Sequence, residues 1–356
     1  MKFNLKKEFF SDREFVLCET KDFKVTAFKY STGVEAIKVE NSKGYFIILP
    51  YQGQQIWRVN FLGKDLVMKT KFSEPAPTLE YLRTYGGFLL HCGINAFGVP
   101  GSEDDHVQHG EIPNVCYDSA YIEVNDEYAS VGGSYNFNRS FVKNYTFSPE
   151  CRLYKDETVL KLNMELENRR DEEMEYMYLC HINFCPIEGA ELMYSAPYDK
   201  EHVKVHKIVP DSLPSEKKEK LKNYMDAVQE NIPLHHKVNK EAQCYQPEIC
   251  FTVMYKGDEE NRAYTLQKTS DGACYVSHPV DVLPYAIRWI SRTGDEDSMG
   301  MVLPATAEHF GYTYAKKNGQ MKTLSPYGKL KFSIEAGWLD NQKASEIEEK
   351  IKKING

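Results

Sequence analysis

The segment Leu160-Lys-Leu-Asn-Met-Glu-Leu-Glu167 decides the fold class of this chain. Apolar residues alternate there with charged and amide residues, and this period of two is typical of a β-strand with one buried face. The segment Leu330-Lys-Phe-Ser-Ile-Glu335 shows the same alternation near the C-terminus. Asn168-Arg-Arg-Asp171 reads as a turn before a further alternating run at 175–184, so we expect these two runs to form a hairpin.

Two segments depart from the strand pattern. Residues 211–230 contain apolar side chains at helical spacing, and the tail at 341–354 is a polar amphipathic helix. Elsewhere, short apolar runs and turns follow one another closely along the chain. The sequence therefore predicts an all-β fold, a sandwich of antiparallel sheets formed by one domain over 1–356, with a small helical insertion and a C-terminal helix.

Charge and composition exclude several classes of partner. The chain has 356 residues and a net charge of −8, and it lacks the concentrated basic stripe that neutralises phosphates, so we expect no nucleic acid partner. Residues 1–10 lack the apolar core of a signal peptide, and no apolar run approaches the length of a membrane span. The nine cysteines are scattered and odd in number, as in a protein with reduced thiols. We expect a cytoplasmic protein.

Several motifs are absent from the sequence. There is no phosphate-binding loop, dinucleotide fingerprint, GxSxG elbow, HExxH or CxxC. Their absence disfavours NAD and ATP chemistry and the hydrolases that these motifs define. It leaves proton transfer without a cofactor, carried by a β scaffold.

His181 and Asn183 are the first candidate site residues. Alternation places both side chains on one face of the strand at 175–184, with Cys180 on the other face. Histidine titrates near neutrality and can act as a general acid or base. The alternative is a histidine on a solvent-facing surface. Because Cys180 and His181 point to opposite faces, they cannot bind one zinc ion together.

His109 and Glu308 are candidates of a weaker kind. His109 lies in a His-Gly turn after the acidic segment 103–106, which suits a loop beside a cleft, but the spacing matches no established set of metal ligands. We therefore expect no metal. Glu308 follows the strand predicted at 299–303 and could be a base there or a solvated loop residue.

Two arginines stand among apolar residues. Arg83 precedes a glycine pair, and Arg288 lies beside a tryptophan. A guanidinium offers several hydrogen-bond donors to hydroxyl or carboxylate groups of a ligand. A structural ion pair is the alternative for each.

Three motifs together resemble the aldose 1-epimerase (mutarotase) family, above all its less-characterised bacterial branch. They are Arg83-Thr-Tyr-Gly-Gly-Phe-Leu-Leu-His-Cys-Gly-Ile94, His109-Gly110 and Tyr178-Leu-Cys-His-Ile-Asn183. That branch has a similar Gly-Gly-Leu-Leu-x-x-Cys-Gly segment, a His-Gly turn and a Leu-Tyr-His-Ile-Asn strand. The resemblance lies between about residues 80 and 190 and implies a galactose-mutarotase-like β-supersandwich with a sugar cleft.

The resemblance also implies roles for the candidate residues. His181 matches the general acid that protonates the ring oxygen, His109 matches a histidine that polarises that oxygen, and Arg83 matches a sugar-contacting arginine. A carboxylate removes the C1 hydroxyl proton in this mechanism, and no cofactor is needed. Here the turn expected to hold that carboxylate has Lys329 instead. We take Glu308 as the replacement.

Glu335 and Glu111 are rivals for the role of base. The leading hypothesis is a sugar epimerase acting at the anomeric carbon, with a small-molecule sugar as partner and a monomeric or homodimeric state. A sugar-binding protein without catalysis is the second hypothesis. The third is an isomerase or lyase for a modified or acidic sugar, in which Arg83 and Arg288 would bind the anion.

Overall fold

The computed structural model describes residues 1–356 and is dominated by β-strands. There are 22 strands: β1 (Lys2–Asn4), β2 (Phe15–Glu19), β3 (Lys24–Lys29), β4 (Glu35–Asn41), β5 (Gly44–Ile48), β6 (Ile56–Phe61), β7 (Lys64–Asp65), β8 (Leu89–Ile94), β9 (Ser119–Val124), β10 (Tyr128–Arg139), β11 (Lys143–Tyr154), β12 (Val159–Asn168), β13 (Met174–Ile182), β14 (Glu191–Tyr194), β15 (Val203–His206), β16 (Ile249–Val253), β17 (Arg262–Thr269), β18 (Gly272–Pro279), β19 (Tyr285–Arg292), β20 (Asp297–Ala305), β21 (Lys322–Leu324) and β22 (Lys329–Leu339). The helices are α1 (Ser215–Glu230), α2 (Gly311–Lys317) and α3 (Asn341–Asn355), with short 3-10 turns at Lys7–Phe9, Tyr81–Thr84 and Ile232–His235.

The strands form two large antiparallel sheets. The first sheet has nine strands in the order β1-β9-β10-β11-β12-β22-β18-β17-β14. The second has thirteen: eleven run in the order β15-β16-β19-β20-β13-β8-β6-β5-β4-β3-β2, while β21 pairs with β13 and β7 with β6. The predicted all-β class, the helical insertion and the C-terminal helix are confirmed.

Alternation along β12 places one row of side chains in the core. Leu160, Leu162, Met164 and Leu166 are buried, whereas the charged residues between them are only partly covered. Burying one face of a sheet against another element supplies most of the stabilisation of such a strand. The alternation of apolar and polar residues in this segment therefore matches the alternation of buried and partly exposed side chains along β12.

The predicted hairpin between β12 and β13 is wrong. β12 pairs with β11 on one edge and with β22 on the other, so neither edge is free for β13. The chain instead crosses to the second sheet, where β13 pairs with β8 from Met177↔Ile94 to Ile182↔Leu89. Nearly every residue of β8 and β13 is buried, as in a strand that is covered on both faces.

The C-terminal helix covers part of the first sheet. Asp340 caps α3, because its side chain accepts a hydrogen bond from the backbone N–H of Lys343 at 2.9 Å. Ala344 and Ile351 pack against a small cluster on β17 and β18. None of the helices is both long enough and apolar enough to span a membrane.

Candidate active site

A cavity of about 450 Å³ lies over one face of the second sheet. Side chains of β13, β16, β19 and β20 contribute to its lining, and the remainder comes from connecting segments. The lining residues are Tyr81, Leu82, Tyr85, Val99, Pro100, Gly101, Gln108, His109, Leu179, His181, Ile208, Glu248, Cys250, Ile287, Trp289, Leu303, His309 and Phe310. A larger crevice of about 860 Å³ beside α3 is lined mainly by charged side chains and tyrosines and contains no histidine, whereas His109, His181 and His309 line the smaller cavity.

The imidazole of His181 is held in one orientation by Asn183. The Asn183 amide donates from Nδ2 to the carbonyl oxygen of Gly87 at 3.1 Å, which directs its Oδ1 towards His181. That oxygen lies 2.8 Å from Nδ1 of His181. Because Oδ1 can only accept, the ring proton sits on Nδ1, and Nε2 is left as the nitrogen that can meet a ligand.

Two aromatic side chains complete the surroundings of His181. The Tyr85 hydroxyl donates to Oδ1 of Asn183 at 3.0 Å and lies 3.4 Å from each ring nitrogen of His181. The Trp289 ring meets the imidazole edge-on at a centroid distance of 5.6 Å. Packing and a supporting hydrogen bond thus fix the ring, which is what a catalytic group on a rigid element requires.

His109 reaches the cavity from a turn with an unusual backbone. Its φ is 62° and that of Gly110 is 83°, and a Cβ on Gly110 would stand 2.1 Å from the carbonyl oxygen of Ala96. Only glycine is accommodated at such a position. The turn brings the His109 ring to 5.4 Å from the ring of His181 and 4.8 Å from that of Tyr81.

The histidines of the cavity are uncharged at neutral pH. Burial lowers the pKa of His181 to about 4, and the hydrogen bond to Asn183 offsets only part of this effect. Burial also holds the pKa of His109 well below its usual value and lowers that of His309 to about 3. With its proton on Nδ1, His181 presents the lone pair of Nε2, so it accepts a proton before it can donate one.

Glu308, the carboxylate expected to act as the base, does not line the cavity. Its Oε1 accepts from the Thr252 hydroxyl at 3.0 Å, and its Oε2 accepts from Tyr314 at 2.8 Å and from Gln320 at 2.9 Å. Burial raises the pKa of the Glu308 carboxyl, but these hydrogen bonds outweigh it and leave the pKa below its usual value. The next residue, His309, lines the cavity instead.

The two rival carboxylates also lie outside the cavity. Glu111 accepts hydrogen bonds from the backbone N–H groups of Ile94 and Asn95 and from the Tyr145 hydroxyl, so it supports the end of β8. Glu335 accepts from Tyr275 at 3.0 Å on the first sheet. Neither lines the cavity that contains His181.

Glu248 is the carboxylate that does line the cavity, and no motif or periodicity in the sequence singles it out. The indole Nε1 of Trp289 donates a hydrogen bond of 2.5 Å to its Oε2. Glu248 directly precedes β16 and has the same parity as Cys250, which also lines the cavity. Alternation extended by one residue could have placed these two side chains together, but it could not have told which face carries the cavity.

Arg83 and Arg288 do not line the cavity either, which corrects the expectation from the sequence. The Arg83 side chain is 68% exposed and lies 3.9 Å from Glu80. Arg288 points to the opposite face of β19 from Trp289 and is fully buried, where it donates from Nε to the carbonyl oxygen of Met301 and contacts His235. Its guanidinium also lies over the Tyr194 ring at 4.0 Å.

The sheets and the cavity define a protein with the galactose-mutarotase-like fold. A proposed aldose 1-epimerase from Klebsiella pneumoniae subsp. pneumoniae shares 18% identity with the chain and covers 100% of it, with 96% of its own length matched and a TM-score of 0.82. A galactose mutarotase-like protein from Clostridium acetobutylicum shares 13% identity with the chain. The match covers 90% of this chain and 100% of that protein, with a TM-score of 0.61. Galactose 1-epimerase from Lactobacillus acidophilus shares 13% identity with the chain. The match covers 92% of this chain and 98% of the epimerase, with a TM-score of 0.55.

The model of the family described as "Domain of unknown function (DUF4432)" matches residues 31–337. The chain therefore belongs to this family. A comparison with curated proteins found no match. The resemblance to the mutarotase-like fold that the motifs indicated is confirmed, and the catalytic roles of individual residues remain predictions.

Proposed function

We propose that this protein accelerates the interconversion of sugar anomers in the cavity over the second sheet. The observation that carries the proposal is the locked imidazole of His181, whose Nδ1 proton is held by Asn183 while Nε2 remains available to a ligand. A fixed proton acceptor on a rigid strand is what ring opening at an anomeric carbon needs. The mutarotase-like fold supports a sugar as the ligand.

A single imidazole can carry out both proton transfers. The ring oxygen and the C1 hydroxyl oxygen of a pyranose are bonded to the same carbon, so one nitrogen can reach both in turn. Nε2 of His181 takes the hydroxyl proton, the C1–O5 bond breaks as C1 becomes a carbonyl, and the imidazolium returns the proton to O5. Rotation about C1–C2 and the reverse steps deliver the other anomer.

Glu248 has an electrostatic role in this mechanism. It is the carboxylate of the cavity lining, and Trp289 fixes one of its oxygens at 2.5 Å. Glu248 is exposed, so its carboxylate favours the imidazolium of His181 chiefly when a bound ligand excludes water from the cavity. Its other oxygen can accept a hydrogen bond from a sugar hydroxyl. The aromatic faces of Trp289 and Tyr85 suit the apolar face of a sugar ring.

The lining argues against an acidic sugar. No lysine or arginine side chain lines the cavity, and the single carboxylate there would repel an anion. The two arginines considered for anion binding lie elsewhere, one exposed and one buried on the other face of β19. The cavity therefore suits an uncharged sugar better than an isomerase or lyase substrate that carries a carboxylate.

The test compares His181→Ala with the unaltered protein and with His202→Ala, which changes a histidine outside the cavity lining. NMR saturation transfer between the anomers of glucose and galactose gives the exchange rate. His181→Ala should lower the catalysed rate by about 10²–10⁴-fold, the usual contribution of a positioned proton-transfer group. His202→Ala should retain it. Equal rates in all three proteins would reject the proposal, and sugar binding without acceleration would favour a sugar-binding protein.

A further inference from the structure

Exposed aliphatic side chains gather at the mouth of the cavity. Leu82, Val99 and Ile208 line it and are 59%, 55% and 56% exposed. A smaller adjoining cavity of about 230 Å³ shares Leu82 and adds the exposed side chains of Leu79 and Val107. We call these five residues the apolar rim. Exposed apolar side chains that cluster in this way mark binding surfaces.

The apolar rim differs from the strand-supplied part of the lining in its exposure. The strands supply His181 and buried or partly buried apolar side chains such as Leu179 and Trp289, whereas the five rim residues come from connecting segments and are each more than half exposed. A cavity of about 450 Å³ belongs to the size range that holds drug-sized ligands, which exceed a single hexose ring. The site thus offers apolar contact area beyond what a free monosaccharide can use.

We propose that the ligand is an uncharged reducing sugar with an apolar substituent far from C1, and that this substituent lies against the apolar rim. The inference rests on the proposed function, because it places C1 at Nε2 of His181. Burying apolar surface is favourable in proportion to its area, so the rim contributes to affinity only when the ligand has such a substituent. A carboxylate or phosphate in the same place would gain no cationic partner from the lining.

The continuity of the rim with the cavity favours a ligand over a partner protein. Leu82, Val99 and Ile208 each line the same cavity as His181, so they stand around an opening and do not form a separate flat surface. A substituent attached to a sugar in the cavity reaches them without a second binding event.

The experiment measures the affinity of wild-type protein for glucose and galactose and for their 4-O-benzyl and 6-O-benzyl derivatives by calorimetry. At least one derivative should bind ten times more tightly than its parent sugar. Val99→Ser and Ile208→Ser should bring the ratio of the two dissociation constants towards one. Val142→Ser is the matched control, because Val142 is 59% exposed and lies outside the cavity lining, and it should keep the wild-type ratio.

Anomer exchange of the same sugars separates this inference from the proposed function. Acceleration with the parent sugars and no gain in affinity for any derivative would overturn the inference and leave the function standing. Tighter binding of a derivative without acceleration would support the ligand class and reject the epimerase activity. Neither binding nor acceleration with any of the sugars would overturn both.

Discussion

The indole of Trp289 contacts both the carboxylate of Glu248 and the imidazole of His181. It donates Nε1–H to Glu248 at 2.5 Å, while its ring meets the ring of His181 at a centroid distance of 5.6 Å. One side chain therefore positions the Glu248 carboxylate and packs against the His181 ring. Cys250 of β16 and Leu179 of β13 line the same cavity, so strands supply the side chains around this pair of contacts.

Glu248→Gln tests whether the carboxylate only stabilises the imidazolium electrostatically or is itself the base. If it only stabilises the imidazolium of His181, losing the charge should lower kcat by roughly 10–100-fold, since each 1.4 kcal/mol is a tenfold change in rate. Trp289→Phe should give a smaller loss, because the carboxylate remains but is less well placed. Saturation-transfer rates check both variants. A loss as large as that of His181→Ala would assign Glu248 the role of base.

The pH dependence of kcat/KM should report the proton-accepting form of His181. Burial lowers the pKa of this imidazole to about 4, so the unprotonated ring is available above that pH. Activity should be constant around neutrality and fall as the pH drops through about 4, and circular dichroism at each pH separates the titration of His181 from acid unfolding. A general acid in the free enzyme would give the opposite sign, with activity rising on acidification.

Asn183→Asp should raise the pH below which activity falls, that is, the acid limb of the pH profile. A carboxylate beside Nδ1 favours the imidazolium and raises the pKa of His181, by about 1–3 pH units for a close pair. The variant should lose activity between pH 7 and 5, where the unaltered protein keeps it. An acid limb that stays near pH 4 would show that Asn183 does not set the protonation of His181.

Glu308→Gln should affect stability more than catalysis. The carboxylate is buried and accepts hydrogen bonds from Thr252, Tyr314 and Gln320, so the change weakens an internal network by about 1–3 kcal/mol. Urea denaturation measures the loss, and the exchange rate should stay within a few-fold of wild type. A rate reduced as strongly as in His181→Ala would restore Glu308 to the mechanism.

Acid should destabilise the fold before it titrates the carboxylates. Burial lowers the pKa of eight histidines, namely His91, His109, His181, His206, His235, His236, His278 and His309. These rings are neutral in the folded protein, whereas the unfolded chain takes up protons near pH 6.5. Stability is therefore complete above pH 6.5 and decreases as the pH falls below it, because the unfolded chain takes up protons that the buried rings do not.

The urea midpoint at pH 7 and at pH 5 measures this loss. The midpoint should be clearly lower at pH 5, with a similar slope. His278→Phe should reduce the difference, because neither ring nitrogen of this fully buried side chain has a hydrogen-bond partner. Identical midpoints at the two pH values would contradict the assignment of neutral histidines.

Local periodicity predicted strands and faces but not their partners. Alternation placed His181 and Asn183 on one side of β13, and the structure has them in contact on that side. The pairing of β13 with β8 joins segments about 90 residues apart, which no local pattern encodes, and so the expected hairpin with β12 was wrong. Long-range pairing depends on which strand edges remain free.

Local periodicity also could not determine which candidate residues line the cavity. Apolar neighbours mark Arg288 as unusual in the sequence, but alternation does not tell the cavity face of β19 from the interior face, where Arg288 is buried. Glu248 cannot be recognised as a site residue from the sequence, because an acidic residue just before a strand is common. Its significance comes only from Trp289 on the adjacent strand, through pairing that the sequence does not reveal.

The position of β13 within the second sheet has a consequence for biosynthesis. It lies between β8, from the N-terminal part of the chain, and β20, whose last residue is Ala305. A nascent polypeptide that extends only to residue 250 lacks β20, the neighbour of β13, and also lacks Trp289. The lining of the cavity around His181 is therefore complete only after residue 310 has been synthesised.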